Sequence, residues 1–355
     1  MKLVYYIRNI SLIFLLFFPI HLSAQTLVDI KLNSDFDLNR MPVSAPEKWQ
    51  GLLGEYILNG KIILIREING QLHAIDDLND QEVELPLIET AQNSFIFQRN
   101  SLSQKLTIEQ DDRGQGEALQ IGDEIFLRNR IEPRNGETYK VSLDKTIEEY
   151  TRSALNEKVP VEDGDFVASD LVDVTEYIDH VKLDVRYATS NNFLGVPTYS
   201  QAKTFLQRPA VKAIQKANKK LNDLGYGLLM HDGYRPWYVT KIFWDATTGF
   251  ERDFVADPSK GSRHNRGCAI DLTLYELKSG EVVKMVGTYD EMSMRSYPDY
   301  KGGTSLERWH RDLLRSVMED VGFRVNRLEW WHFDYKDWQK YPILNETFEE
   351  LSLAN

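Results

Sequence analysis

The chain has 355 residues, of which 42% are hydrophobic and 27% charged, so it is long enough for about two globular domains of typical size. Its formal net charge is −12, and no stretch is rich in Lys and Arg, which excludes the basic surface of a nucleic-acid-binding protein. The acidic residues are dispersed, as is typical of a solvated acidic surface. We therefore expect no nucleic-acid partner.

The first residues have the composition of a cleaved secretion signal. Lys2 and Arg8 give a basic start, an uncharged apolar run follows from Ile10 to Ile20, and small residues precede Gln25. This run has about half of the roughly 20 residues that cross a bilayer, which disfavours the alternative of a membrane anchor. We predict a signal peptide over residues 1–24, an exported chain that is periplasmic or secreted, and no membrane span in the mature protein.

Cysteine usage fits an exported chain that relies on its core. Cys268 is the only cysteine, so no internal disulfide can form, and no cysteine near Ala24 could carry a lipid anchor. We interpret Cys268 as a small buried residue rather than a nucleophile or metal ligand.

The region 47–145 is predicted to be an antiparallel β-rich accessory domain, preceded by a lead segment over residues 25–46. Short apolar runs alternate with polar residues, and Asn-Gly pairs at 59–60, 69–70 and 135–136 favour the positive backbone angles of tight hairpins. Its predicted core includes Trp49, Leu52, Tyr56 and Leu64. Without a cluster of His, Cys or acidic residues, this region is expected to have a binding or spacing role.

The pattern of the remaining chain predicts an α+β domain over residues 170–348. A linker over residues 146–169 is predicted to join it to the β-rich region, and a C-terminal tail over residues 349–355 to follow it. One helix is predicted to begin near Pro209 and end at Gly225. A second begins with a capping-box pattern, Thr304 with Glu307, and ends at Gly322. Strands are predicted at residues 181–187, 226–231, 268–274 and 328–335.

Two stretches of this domain carry the donor set of a metal site. His264 and Asp271 lie in "SRHNRGCAID", and His332 lies in "EWWHFDY". Two imidazoles and one carboxylate are ligands that zinc prefers, and a catalytic zinc site has three protein ligands and one open position. Asp271 is flanked by apolar residues, where an ionised carboxylate is costly unless it is paired or bound to a metal. Each motif alone is more often structural, and the affinity order of divalent ions leaves the metal identity open.

Glu329 and Arg235 are the candidates for chemistry beside this site. Glu329 stands three residues before His332, and a strand would place the two side chains on opposite faces, so a bulge or twist would have to bring Glu329 to the metal as a general base. Arg235, in "MHDGYRPW", could stabilise the negative charge of a tetrahedral intermediate. The alternative is that Arg235 pairs with Asp232 and only shapes a turn.

The second domain resembles the D-alanyl-D-alanine dipeptidases, zinc peptidases with the hedgehog/D-Ala-D-Ala peptidase fold. The similarity rests on the following stretches in the family's order: "LDVRYATSNNFLG", "DGYRP", "VADPSKGSRHNRGCAIDLTL", "MVGTYDEMS" and "EWWHF". The resemblance implies one zinc ion on His264, Asp271 and His332, with Glu329 as the base and Arg235 at the oxyanion.

For the substrate, the resemblance implies that Asp290 and Ser262 help to hold the free amino end of the dipeptide, while Tyr187 lines the pocket. An ammonium beside a carboxylate is physically reasonable there. The expected partner is a small peptide, D-Ala-D-Ala, in cell-wall peptide turnover.

Export and the extra β-rich region depart from the compact cytoplasmic members of the family. They leave two alternatives open: a zinc D,D- or L,D-carboxypeptidase acting on peptidoglycan stem peptides, and a non-catalytic, metal-containing module that binds the wall. The accessory domain is a candidate for contact with the wall or with carbohydrate.

Overall fold

The structure, a computed structural model, describes residues 36–78, 81–130 and 138–354. The predicted signal peptide, the first part of the lead segment and the Asn135-Gly136 pair lie outside the described residues. Within the described part of the chain, no helix combines the length and the apolar character needed to cross a membrane.

The chain first forms a nine-stranded antiparallel sheet, with strand order β4-β3-β2-β1-β9-β8-β7-β6-β5. A short helix, α1 (Glu47–Gln50), precedes it. The strands are β1 (Gly54–Leu58), β2 (Lys61–Ile68), β3 (Gln71–Leu78), β4 (Gln81–Pro86), β5 (Ile88–Ala91), β6 (Ser94–Arg99), β7 (Leu102–Gln110), β8 (Gly116–Ile121) and β9 (Glu124–Arg128). Because β4 also contacts β6, the sheet curls around its own apolar core.

Asn-Gly turns set the register of the first hairpins, as predicted. Asn59 and Gly60 have φ of 51° and 83°, and Leu58 pairs directly with Lys61 across the turn. Asn69 and Gly70 repeat this geometry, with φ of 47° and 84°. Asn and Gly tolerate these left-handed angles, which match the twist of the paired strands.

The predicted core residues of this region divide between two cores. Leu52 and Tyr56 are buried inside the curled sheet, and Trp49 is half-buried against the same core. Leu64 is half-buried and packs against the core of the second sheet. The prediction for Leu64 was wrong about its core, because successive residues of a strand point to opposite faces and Leu64 faces away from its neighbours Ile63 and Ile65.

A helix, α2 (Ile147–Asn156), occupies part of the predicted linker. Thr146 and Glu149 form a capping box at its start, and Tyr150 and Ala154 are buried where α2 contacts α4 (Trp237–Ala246). The segment predicted as a linker therefore contains one helix over these residues, for which the sequence analysis predicted no element.

The second sheet has five strands in the order β11-β13-β14-β16-β15. These are β11 (Val181–Leu183), β13 (Tyr226–Asp232), β14 (Ala269–Glu276), β15 (Phe323–Val325) and β16 (His332–Tyr335), while β10 (Leu171–Asp173) and β12 (Phe205–Gln207) form a separate antiparallel pair. Only β11 and β13 run parallel. The helices α3 (Arg208–Asp223) and α5 (Ser305–Asp320) contact the sheet and each other. The whole is a mixed α/β structure.

Helix ends follow the predicted chemistry, whereas strand bounds differ from the prediction. Thr304 Oγ1 accepts a hydrogen bond from Glu307 N at 3.1 Å, and Glu307 Oε2 accepts one from Thr304 N at 2.8 Å. The strand predicted at 181–187 ends at Leu183, since residues 186–188 form a 3-10 turn. The strand predicted at 328–335 begins only at His332.

The predicted C-terminal tail is also structured. Residues Phe348–Ala354 form the helix α6, and Phe348 is buried against Tyr199 and Phe205. The apolar Phe348 therefore anchors the end of the chain to the second core. The described residues belong to one compact unit that includes both sheets.

Candidate metal centre and active site

Three side chains from separate elements of the second sheet converge on one point. His264 begins a 3-10 turn ahead of β14, Asp271 lies within β14, and His332 is the first residue of β16. Asp271 and His332 are register partners on neighbouring strands, so their side chains share one face of the sheet. All three are buried, and one ligand atom from each lies within 4.8 Å of the others.

The second ring nitrogen of each histidine fixes which nitrogen faces the centre. His264 Nδ1 lies 2.6 Å from Gly233 O, and His332 Nε2 lies 2.9 Å from Asp334 Oδ1. Both partners are acceptors, so these nitrogens carry the protons and donate. The opposite nitrogens then present lone pairs.

The inward-facing atoms form a triangle that suits a cation. His264 Nε2 is 3.1 Å from His332 Nδ1, and Asp271 Oδ1 is 3.4 Å and 3.0 Å from these two nitrogens. Tetrahedral ligands at the bond lengths of zinc stand about 3.3 Å apart. Asp271 Oδ1 is buried without a hydrogen bond within the described chain. The lone pairs of the two histidine nitrogens and this carboxylate oxygen repel one another unless a cation lies between them. The residues therefore fit a metal ion.

Glu329 reaches this triangle from a turn and not from a bulged strand. His332 N donates to Glu329 O at 3.4 Å, which closes a turn through Trp330 and Trp331 and brings Glu329 Oε2 to 3.6 Å from His332 Nδ1. Asn326 Nδ2 donates to the same carboxylate oxygen at 3.1 Å. Burial raises the pKa of Glu329 to about 7 against the opposing effect of His332. The predicted proximity is therefore present, but by another local geometry than the predicted strand.

Arg235 is held in place by Asp232. Its Nε and Nη2 donate to Asp232 Oδ2 at 3.0 Å and 2.7 Å, and Tyr199 donates to the other oxygen of Asp232 at 2.7 Å. The guanidinium lies 5.4 Å and 4.7 Å from the ring centroids of Tyr187 and Phe243. The ion pair between Arg235 and Asp232 that the alternative interpretation requires is thus present.

Asp290 presents one unpaired carboxylate oxygen next to this cluster. Its backbone has a φ of 59°, in the left-handed region. Tyr187 donates to Asp290 Oδ1 at 3.1 Å, while the buried Oδ2 has no hydrogen-bond partner among the described residues. Burial, with the charge of Asp271, raises the pKa of Asp290 well above its usual value. The positive charges near Asp290, such as that of Arg186, do not outweigh these two effects.

Ser262 lies in the turn that presents His264. Its Oγ accepts a hydrogen bond from His264 N at 3.2 Å, and its own N–H donates to Asn265 Oδ1 at 2.7 Å. No hydrogen bond joins Ser262 to Asp290 in the described chain. Its predicted part in holding the substrate stays a prediction.

Two residues of the site were missed from the sequence. Asp334 accepts a hydrogen bond from His332 Nε2, the ring nitrogen that faces away from the triangle. Tyr289 donates to Asp271 Oδ2 at 3.1 Å, and its ring stacks on His231 with the ring centroids 4.3 Å apart. Asp334 had a local signal, because residues two apart on a strand share a face. Tyr289 had none, since its contact depends on tertiary structure.

The site has the donor set of metal-dependent hydrolases: two inward-facing imidazoles and a carboxylate, with a second carboxylate next to them. Comparison with known proteins gives the family. The sequence model described as D-ala-D-ala dipeptidase, peptidase M15, matches residues 167–352. The chain belongs to this family of metallopeptidases.

Several similar proteins carry the name D-alanyl-D-alanine dipeptidase, and three of them show the extent of the match. The one from Escherichia coli is 32% identical over 180 residues, which cover 51% of this chain and 92% of the relative. The one from Enterococcus faecium is 36% identical over 188 residues, covering 47% and 91%. The one from Streptomyces coelicolor is 33% identical over 209 residues, covering 53% and 100%. The nine-stranded sheet lies before the residues that the family model matches.

Proposed function

We propose that this chain hydrolyses the dipeptide D-alanyl-D-alanine with one zinc ion held by His264, Asp271 and His332, in a domain of the hedgehog/D-Ala-D-Ala peptidase type. When bound, zinc polarises the substrate carbonyl and lowers the pKa of a water molecule. The observation that carries the proposal is the triangle of inward-facing donor atoms with Glu329 next to it.

Glu329 acts as the general base. Its carboxylate lies 3.6 Å from a donor nitrogen of the triangle, where it accepts a proton from water and returns it to the leaving amine. Arg235 stabilises the negative charge that develops on the carbonyl oxygen, because Asp232 fixes its guanidinium before substrate arrives.

Asp290 binds the free amino end of the dipeptide. An ammonium would supply the hydrogen bonds and the positive charge that the buried Oδ2 lacks. Tyr187 orients this carboxylate through its other oxygen. A buried partner for an amino terminus favours the dipeptidase over the carboxypeptidase alternative, since a stem peptide has an acylated nitrogen at that position.

Substrate and metal are tested together on the purified protein. We expect release of D-alanine from free D-Ala-D-Ala, little cleavage of a pentapeptide stem, and one zinc per chain by elemental analysis. Cleavage of the long peptide alone would identify a carboxypeptidase. Zinc without cleavage of either peptide would identify the non-catalytic module.

The role of Glu329 is tested by E329Q, with E281Q as the matched control at an exposed glutamate. We expect E329Q to lower kcat by about 10³-fold, the size of a general-base contribution, at unchanged zinc content. E281Q should keep wild-type turnover. Equal turnover in the two variants would disprove the mechanism.

Export to the periplasm or the medium, with a part in cell-wall peptide turnover, completes the proposal. It is supported by the basic start and the apolar run of residues 1–24. Cell fractionation with sequencing of the mature amino terminus tests it, and a cytoplasmic chain that retains Met1 would contradict it. The predicted contact of the accessory domain with the wall or with carbohydrate stays a prediction.

A further inference from the structure

The carboxylate of Glu291 organises the loop that presents Asp290, here called the Asp290 loop (residues 287–300). Arg295 donates to both oxygens of Glu291, at 2.6 Å and 2.9 Å, and Thr288 N donates to Oε2 at 3.1 Å. The loop also folds tightly on itself, because a Cβ on Gly287 would stand 2.9 Å from Arg295 O. Asp290 depends on these contacts to keep its left-handed conformation, which few residues adopt unless the surroundings impose it.

Little direct packing supports the first part of this loop on the side of the nine-stranded sheet. A cavity of about 560 Å³ lies between the start of the loop and the nine-stranded sheet. Residues 285–289 and Glu291 line it on the side of the loop, and Gln50, Leu53, Gly54 and Arg128 line it on the opposite side. Any stabilisation of the loop by the sheet must therefore come from individual hydrogen bonds or ion pairs.

One buried contact between the sheet and the loop joins Tyr300 to Glu55. Tyr300, at the end of the loop, donates from its hydroxyl to Glu55 Oε1 of strand β1. Both residues are buried, at 8% and 3% exposure. Glu55 Oε2 also accepts a hydrogen bond from Asn129 Nδ2 at 3.4 Å. On its other side, Tyr300 O accepts from Arg311 Nη1 at 2.6 Å.

We propose that the nine-stranded sheet positions the subsite for the amino end of the substrate: Glu55, acting through Tyr300, holds the Asp290 loop in its binding conformation. Glu55 and Tyr300 are positioning residues, since neither contacts the metal-site side chains. This inference rests on the proposed function only in taking Asp290 as the group that binds the amino end.

In this proposal the sheet contributes to the free energy of substrate binding without contacting the substrate. A buried carboxylate is stable only while donors compensate it, and without the Tyr300 hydroxyl Glu55 would keep only the long hydrogen bond from Asn129 Nδ2 among the side chains that the structure describes. Y300F removes the donor and keeps the ring. E55Q keeps an acceptor for Tyr300 and removes the charge of the carboxylate. E82Q is the matched control, because Glu82 pairs with Lys301 at the same interface but is 57% exposed.

Hydrogen exchange tests the positioning without relying on activity. In Y300F, amides of residues 287–297 should exchange about tenfold faster than in wild type, as expected when one hydrogen bond to a charged group is lost. E55Q should show a smaller change in the same residues, and E82Q none. Unchanged exchange in Y300F, with the protein folded, would overturn the proposal.

Kinetics test the consequence for the amino end. For D-Ala-D-Ala, Y300F should raise KM about tenfold and change kcat less than about threefold, because a contact made equally in the ground and transition states affects binding alone. For propionyl-D-alanine, which lacks the amino group, kcat/KM should change little. An equal loss of kcat/KM on both substrates would show a general structural role and overturn the proposal.

The two proposals fail in different ways. If the wild-type protein does not cleave D-Ala-D-Ala, the proposed function fails, and the exchange of residues 287–297 still decides whether the sheet holds the loop.

Discussion

His332 contacts three acidic side chains at once, and each contact has a different consequence. Its Nδ1 faces Asp271 at 3.0 Å and Glu329 at 3.6 Å, whereas its Nε2 meets Asp334 at 2.9 Å. Asp334 in turn lies 3.5 Å from Arg263, whose guanidinium stacks on Trp338. Asp334 therefore fixes the ring so that Nδ1 carries the lone pair, and it makes that nitrogen more basic.

Removal of Asp334 should weaken metal binding. We expect D334A to lower zinc affinity about 10- to 100-fold, the usual effect of losing the partner of a ligand histidine, and D334N to lower it less because an amide oxygen still accepts from Nε2. Competition with a chelator measures the affinity. The matched control is D337N, at an acid that pairs with Lys340 on the surface. If D334A and D337N bind zinc equally, Asp334 does not orient the ring.

At the scale of elements, local chemistry decides which parts of the fold a sequence reveals. The Asn59-Gly60 turn and the Thr304 capping box were predicted because their signals lie within four residues. Helix α2 carries the same capping pattern at Thr146 and Glu149, but only Tyr150 and Ala154 of it are buried, so its apolar periodicity is too short to recognise.

The strand predicted at 328–335 was too long at its start for a related reason, since only His332–Tyr335 form a strand. Aromatic residues have high β propensity, yet Trp330 and Trp331 are in a turn because Trp330 N donates to Ser296 O at 2.7 Å and ring contacts with Tyr289 hold Trp331. In the site, donor chemistry and family resemblance were enough to choose His264, Asp271 and His332. Contacts such as Tyr289 with Asp271 arise only when distant segments meet.

The capping box of α2 gives a test at this scale. Thr146 Oγ1 accepts from Glu149 N at 3.3 Å, and Glu149 Oε2 accepts from Thr146 N at 2.9 Å. We expect T146A to lower the free energy of unfolding by about 1 kcal/mol, measured by urea denaturation, with unchanged turnover. S153A removes a hydroxyl from an exposed position in the same helix and should change stability by less than about 0.5 kcal/mol. Equal effects of the two would mean that the cap contributes nothing.

At the scale of the whole molecule, α5 connects the two sheets. At its start, Arg308 donates to Glu67 O at 2.7 Å, and Ser305 N donates to the carboxylate of Glu67 at 2.8 Å, so the first sheet binds the first turn of the helix. Two residues after Arg308, His310 is buried against Tyr226 of β13 in the second sheet, with Tyr226 Oη 3.0 Å from His310 Nε2. A change of charge at His310 would therefore act where α5 meets the second sheet.

Burial lowers the pKa of His310 to about 4, against a weaker opposing effect of Glu276. Because a histidine in the unfolded chain titrates near 6.5, the unfolded state binds one proton more than the folded state between about pH 6.5 and pH 4. Stability from this group is complete above pH 6.5 and falls as the pH drops toward 4. From pH 7 to pH 5 the loss is about 2 kcal/mol. We expect H310Q, which keeps a polar partner for Tyr226, to lose about 2 kcal/mol less over this interval than wild type in urea denaturation. H180N, which removes an exposed imidazole, should keep the wild-type dependence, and a wild-type slope in H310Q would show that His310 does not remain neutral in the folded protein.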